Sequence, residues 1–444
     1  MRDLTQGPIP GHLLTMAMPI AAGMLAQTLY LLIDLYFVAQ LGDAALAGVG
    51  AAGIAMFVVM AFTQALGVGA MALISQAVGR KDPADANLVF NQAMALGAIC
   101  TAATLVAGYA ATGWYMKLVG ADAATVAAGT TYLHWFLPGL ALQYVNMVMV
   151  SGLRGTGVVQ PTMVVQIATV LINAVLAPVL IGGWITGRPL GVAGAGLAST
   201  IAVAAGTLML SGYFLKLEKY VHFRSALWKP QGDAWARMIS VGAPAGGEFA
   251  LMFLFMAVIY WVIRDFGAAA QAGFGVGSRL MQAIFLPAMA IAFATGPIAG
   301  QNYGAKQHAR VRETMRSSAT MSVGVMIVVT LLCQWRPEWL VRGFTTEPAV
   351  VEVASHFLRL ISWNFAAQAI IFTCSGVFQG LGHTLPALAS SASRIATFMV
   401  PAIWLSTQPW LQIDHVWYLS VASVWLQAGL SLYLVSRVMR QRLA

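Results

Sequence analysis

The chain has 444 residues, of which 59% are hydrophobic and only 9% charged, and it carries a formal net charge of +9. Water-soluble domains carry about 25% charged residues, so this composition excludes a soluble enzyme or a soluble binding module. Its solvent is expected to be largely lipid.

Uncharged apolar runs long enough to cross a bilayer, about 20 residues each, recur through the whole length. Twelve are expected, over roughly 13–39, 46–75, 90–112, 123–150, 161–183, 191–215, 238–263, 271–299, 317–335, 349–377, 387–407 and 415–436. The first follows a polar segment, Met1 to Pro10, and is too long for the apolar core of a cleavable signal, so it is expected to stay in the mature protein. The longest charged connector, 216–237, follows the sixth run and divides the chain into an N-terminal bundle, 1–215, and a C-terminal bundle, 238–444. Every span should be helical, because an unpaired backbone group in lipid costs several kcal/mol. The expected fold is an all-α polytopic membrane protein, with twelve transmembrane helices in two six-helix bundles.

The basic surplus is explained by topology. With the N-terminus inside, sixteen of the 24 basic residues fall on the side of the termini, among them Arg80, Lys81, Arg154, Lys306, Arg310 and Arg440. Only Lys117, Arg188, Arg264, Arg336 and Arg342 fall in the outer loops. This asymmetry obeys the positive-inside rule and puts both termini in the cytoplasm, with no nucleic-acid partner implied. Cys100, Cys333 and Cys374 lie inside spans without ligand spacing, so neither a disulfide framework nor a metal site is expected. The glycine-rich stretches Gly42 to Gly50 and Gly191 to Gly196 read as close-packing helix faces; a phosphate-binding loop would need a soluble strand–turn–helix context.

A single constant offset relates the two halves. The shift that takes Pro19 to Pro244 also takes Leu41-Gly42 to Phe266-Gly267, Gln76 to Gln301, Gly79 to Gly304 and Lys81 to Lys306. It further takes Gly155, Gly157 and Pro161 to Gly380, Gly382 and Pro386. Duplication in a hydrophobic chain marks secondary transporters. Because six spans return the chain to its starting side, the halves should share a topology and be related by a pseudo-twofold axis along the membrane normal.

Of the 15 acidic residues, only Asp34 and Glu248 sit well inside the expected spans. A charge at mid-bilayer costs about 2.5–3.5 kcal/mol on insertion scales, so each needs a partner or a task. Tyr30 and Gln27 precede Asp34 by four and seven residues, which places the three on one helical face. A carboxylate there is suited to bind and release a proton; one merely hydrogen-bonded to a neighbouring helix is the alternative. Asn364 and Gln368 share an i, i+4 face in the tenth span. Tyr30, Tyr36 and Trp363 are aromatic candidates for stacking on flat cations, beside the belt and packing roles that most aromatics take. Arg394 is expected either to reach the cytoplasmic interface or to pair with an acid.

The segments Ser75-Gln76-Ala77-Val78-Gly79-Arg80-Lys81 and Gly300-Gln301-Asn302-Tyr303-Gly304-Ala305-Lys306, with Gly152-Leu153-Arg154-Gly155-Thr156-Gly157 before Pro161, resemble the multidrug and toxic compound extrusion (MATE) transporters of bacteria. Pro19, Gln27, Asp34, Val38 and Leu41 to Leu46 look like the start of that family, and the resemblance covers both halves almost end to end. It implies a monomeric multi-pass antiporter of the bacterial inner membrane, with two bundles around a central cleft that opens alternately to each side. Such proteins export bulky, often cationic or amphipathic organic compounds in exchange for protons or sodium, and need no cofactor beyond the coupling ion. The resemblance gives a coupling role to Asp34, with Asn173 near it, and extends to an acid in the seventh span, here Glu248. Gln27, Tyr30, Tyr36, Trp363, Asn364 and Gln368 are the cleft candidates. One departure matters: Ala177-Pro178 stands where many members have an acid before the proline. A sodium ion favours several hard oxygen ligands, so a single carboxylate leans towards the proton. A lipid-linked oligosaccharide flippase is the second reading, disfavoured because the central candidates are acidic; no catalytic constellation supports an enzyme.

Overall fold

The computed structural model describes residues 1–185 and 187–443. Among these residues, twelve helices are long and apolar enough to cross a membrane. They are α1 (Ile9–Ala39), α2 (Asp43–Gly79), α3 (Pro83–Val119), α4 (Ala123–Gly155), α5 (Gln160–Ile181), α6 (Val192–Lys216), α7 (Gly232–Phe266), α8 (Ala270–Gly304), α9 (His308–Trp335), α10 (Pro348–Gly380), α11 (Leu385–Ser406) and α12 (Ile413–Arg442). All twelve expected spans are present. Sequence reading missed a one-turn helix between α9 and α10, Pro337–Val341, 3₁₀ turns at Arg264–Phe266 ending α7 and at Ser362–Asn364 inside α10, and a π-turn at Ile395–Met399 inside α11.

The duplication is written into the backbone. Gly42 and Gly267 both lead into a helix with positive φ, at 102° and 91°. Lys81 and Lys306 stand at φ 59° and 58° just past the ends of α2 and α8. There the amide of Asp82 donates to the Ala77 carbonyl and that of Lys81 to Val78; Gln307 to Asn302 and Lys306 to Tyr303 repeat the pattern. This is a Schellman end, which usually takes glycine because the left-handed region crowds a Cβ. Lysine tolerates it here while placing positive charge by the free carbonyls of the helix terminus. Gly157 and Gly382, a further repeat-related pair, close α4 and α10 in the same way.

The chain forms two compact units, residues 1–3 with 22–246, and residues 4–21 with 247–444. The divisions inside α1 and α7, after residues 21 and 246, obey the same offset and follow Pro19 and Pro244 by two residues. In the first unit α4 packs on α2, α3 and α6, and α5 on α6. Its core is apolar and aromatic, with Phe90 stacked on Phe214 at 4.9 Å. Three buried amides at the start of α3 hold the connector: Asn87 bonds the Tyr220 carbonyl and the His222 amide, Asn91 bonds His222 and Arg224, and Gln92 bonds Leu227, Lys229 and Gln231. In the second unit α8 packs on α9 and α10, and α10 on α12. Phe274, Phe357 and Trp417 form its aromatic centre, with Phe274 and Trp417 stacked at 5.6 Å. Residues 4–7 belong to this unit because Gln301, Asn302 and Arg310 bond the backbone of Leu4 and Gly7.

Candidate functional site

Asp34, near the end of α1, is buried with 6% of its surface exposed. The groups around it come from three other helices of the same unit: Tyr132 of α4, Asn173 of α5 and Ser199 of α6, with Tyr30 one turn earlier on α1. The approach of α6 depends on Gly196, where a Cβ would lie 2.6 Å from the Tyr132 carbonyl oxygen. That close crossing brings Ser199, less than one turn further on, beside the carboxylate.

The cluster is crowded, with Ser199 and Asn173 directed at the Asp34 carboxylate. Asp34 Oδ1, both amide atoms of Asn173, Ser199 Oγ and Tyr30 Oη are enclosed without a hydrogen-bond partner. Each such group costs about 1–3 kcal/mol when left unsatisfied. A proton on Asp34 would cancel the charge and add a donor among these acceptors.

The second intramembrane acid is differently placed. Glu248 of α7 accepts from Ser375 Oγ of α10 at 2.9 Å and from Ser391 Oγ of α11 at 3.3 Å. Gln427 of α12 donates to Ser391 Oγ at 3.2 Å, and Gln379 to Ser375 Oγ at 3.3 Å. Here each carboxylate oxygen has a donor and each donor is itself held.

The remaining sequence candidates differ in exposure and partners. Gln27 is exposed, 3.5 Å from Gln166 Nε2, and Tyr36 is exposed with its ring edge-on to Phe37. Trp363 is exposed and its carbonyl accepts from Trp425 Nε1. Asn364 is buried with Oδ1 unpartnered, whereas Gln368 is only partly buried. The 3₁₀ turn ending at Asn364 interrupts the continuous α-helix that their i, i+4 spacing assumes. Among the described residues Arg394 pairs with no acid; its guanidinium lies over the rings of Phe255 and Phe398.

Comparison with known proteins settles the family. The MatE family model matches twice, over residues 19–179 and 244–405, two stretches that begin at the repeat-related Pro19 and Pro244 and cover most of the chain. The chain belongs to the MatE family. It is thus a MATE transporter, not an enzyme, and a multi-pass membrane protein. It is 25% identical over 448 aligned residues to a multidrug export protein, MepA, of Staphylococcus aureus, covering 99% of this chain and 96% of that one. It is 24% identical to an FAD transporter of Shewanella oneidensis, over 90% of this chain and 88% of the other. Its fold matches the structure of a MOP superfamily transporter from Pyrococcus furiosus with a TM-score of 0.92 at 21% identity, over 99% and 98% of the two chains. Within this MATE fold, Asn173 lies beside Asp34, the nearness that the family resemblance implied. Ser199 and Tyr132 were missed: serine and tyrosine are ordinary in membrane helices, and only the Gly196 crossing shows their nearness.

Proposed function

We propose that this MATE transporter exports bulky, often cationic organic compounds in exchange for protons, with Asp34 as the group that carries the proton. The observation that supports this most is the unsatisfied cluster of Tyr30, Asp34, Asn173 and Ser199. A sodium ion would need a fuller shell of hard oxygen ligands than one carboxylate, an amide and hydroxyls provide, whereas a proton needs only the carboxylate. Protonation changes the charge of a buried group in the first unit and biases the protein between two conformations, each favoured by a different ligand. Asn173 and Ser199 orient the carboxylate; Glu248 is the secondary ion-binding candidate. The repeats, 1–215 and 238–444, joined by 216–237, are the two halves of the cycle, in an inner membrane with both termini cytoplasmic. The names of the two relatives, a multidrug export protein and an FAD transporter, bring both cargo classes into consideration, and the acidic centre of the first unit favours the cationic one.

Ethidium transport in proteoliposomes under an imposed pH gradient, and separately under an imposed sodium gradient, tests this reading. Export driven by the pH gradient alone is expected. Export driven by sodium would transfer the role to a cation site, and no export under either gradient would favour the flippase.

A further inference from the structure

Among the described residues, the second unit contains a charge with no counter-charge. Arg394 falls at the middle of α11, ten residues into a 22-residue span. Its guanidinium carbon lies 4.8 Å from the centre of the Phe255 ring and 5.3 Å from that of Phe398. The π-turn Ile395–Met399, which begins at the next residue, sets Phe398 on this side; such turns recur at functional sites. Aromatic faces favour a cation electrostatically but accept none of the hydrogen bonds that a five-donor fork offers. Nε of Arg394 is enclosed without a partner, and among the described residues no hydrogen bond or ion pair reaches the side chain.

The nearest candidate acid is already engaged. Phe255 follows Glu248 by seven residues on α7, and Arg394 follows Ser391 by three on α11, so the two contacts are successive rungs of one helix seam. On the lower rung the Glu248 carboxylate takes Ser391 and Ser375. On the upper rung the guanidinium meets only rings. Arg394 as a whole is partly rather than fully buried. A planar fork that is desolvated, braced by two rings and left unpaired fits one chemistry best: a carboxylate bound through two parallel N–H···O bonds.

We propose that Arg394 is the docking point for the carboxylate of an organic substrate, so that the C-terminal unit takes aromatic acids, and zwitterions carrying one, beside the cations handled through Asp34. This deepens, and rests on, the reading of the chain as an organic-compound exporter.

The test is calorimetric titration of the purified full-length protein in detergent with naphthalene-1-carboxylate, its neutral amide, and naphthylmethylammonium. Wild type should bind the acid about tenfold more tightly than the amide, equivalent to about 1.4 kcal/mol. Arg394→Gln should remove that preference and leave the ammonium probe unchanged; Arg394→Lys should keep part of it. Equal affinity of wild type for acid and amide would overturn the proposal without any variant, and so would an undiminished preference in Arg394→Gln. Ethidium export run alongside separates the two failures. Export without acid preference removes only the Arg394 site, whereas acid binding without any export removes the exporter reading and keeps the site.

Discussion

The two intramembrane carboxylates stand on the first helix of each half, α1 and α7, but differ in how they are held. Glu248 has a donor on each oxygen, and those donors are themselves fixed by Gln379 and Gln427. Asp34 stands among polar groups left without hydrogen-bond partners. A saturated carboxylate is a strut, since any change in its protonation breaks bonds already made. An unsaturated one gains partners when a proton or water arrives, so it can change state without dismantling its surroundings. The same fold, repeated at one constant offset, thus holds its two acids in two different ways.

The largest expected effect breaks this comparison directly. Asp34→Asn should lower pH-driven export by tenfold or more, whereas Glu248→Gln, which keeps an acceptor for the serines, should stay within about threefold of wild type; initial rates in proteoliposomes decide. If Glu248→Gln is the more damaging, the roles are reversed.

Stability should show the opposite order. Glu248→Ala strips the acceptor from Ser375 and Ser391 and is expected to cost about 1–3 kcal/mol. Asp34→Ala removes a carboxylate with one oxygen unpartnered and should cost less. Denaturant unfolding in detergent micelles measures both, and equal losses would dissolve the distinction.

The halves should respond alike where their backbones are alike. Lys81→Gly and Lys306→Gly each relieve a side chain held at positive φ and should each stabilise by about 1 kcal/mol. A gain at one site alone would mean that the two helix ends are not equivalent in energy.

The smallest effect is one of pH. Asp122 caps α4, accepting the Thr125 amide at 2.7 Å, and that bond holds its carboxyl below the usual carboxylate range. A folded-state value below the unfolded one means the cap contributes fully above about pH 4, and its contribution is lost as pH falls through the lowered value. Asp122→Ala should therefore flatten the acid limb of the stability profile and leave neutral pH dependence unchanged.

Much of this was legible in the chain, for identifiable reasons. Twelve spans could be read because lipid imposes length and apolarity on every one. Asp34 and Glu248 could be found because a carboxylate in such a span is conspicuous. Their difference could not, since it rests on Ser199, Ser375 and Ser391, serines whose partners are decided by helix crossings rather than by local sequence. The Gly196 contact that admits Ser199 reads in the chain only as one of several small residues. Arg394 was expected to snorkel or to pair with an acid; its two phenyl rings come from α7 and from a π-turn that has no sequence signature. The lysines at positive φ were visible as a repeated pair, but not as strained positions, because glycine is the residue that normally marks them.

The most direct test of the account is proton release on ligand binding, followed with a pH indicator when ethidium is added to lightly buffered, detergent-solubilised protein near neutral pH. Wild type and Glu248→Gln should release protons in step with binding, and Asp34→Asn should bind without release. Release from Asp34→Asn equal to that of wild type would contradict the assignment of the exchangeable proton to the unsaturated carboxylate.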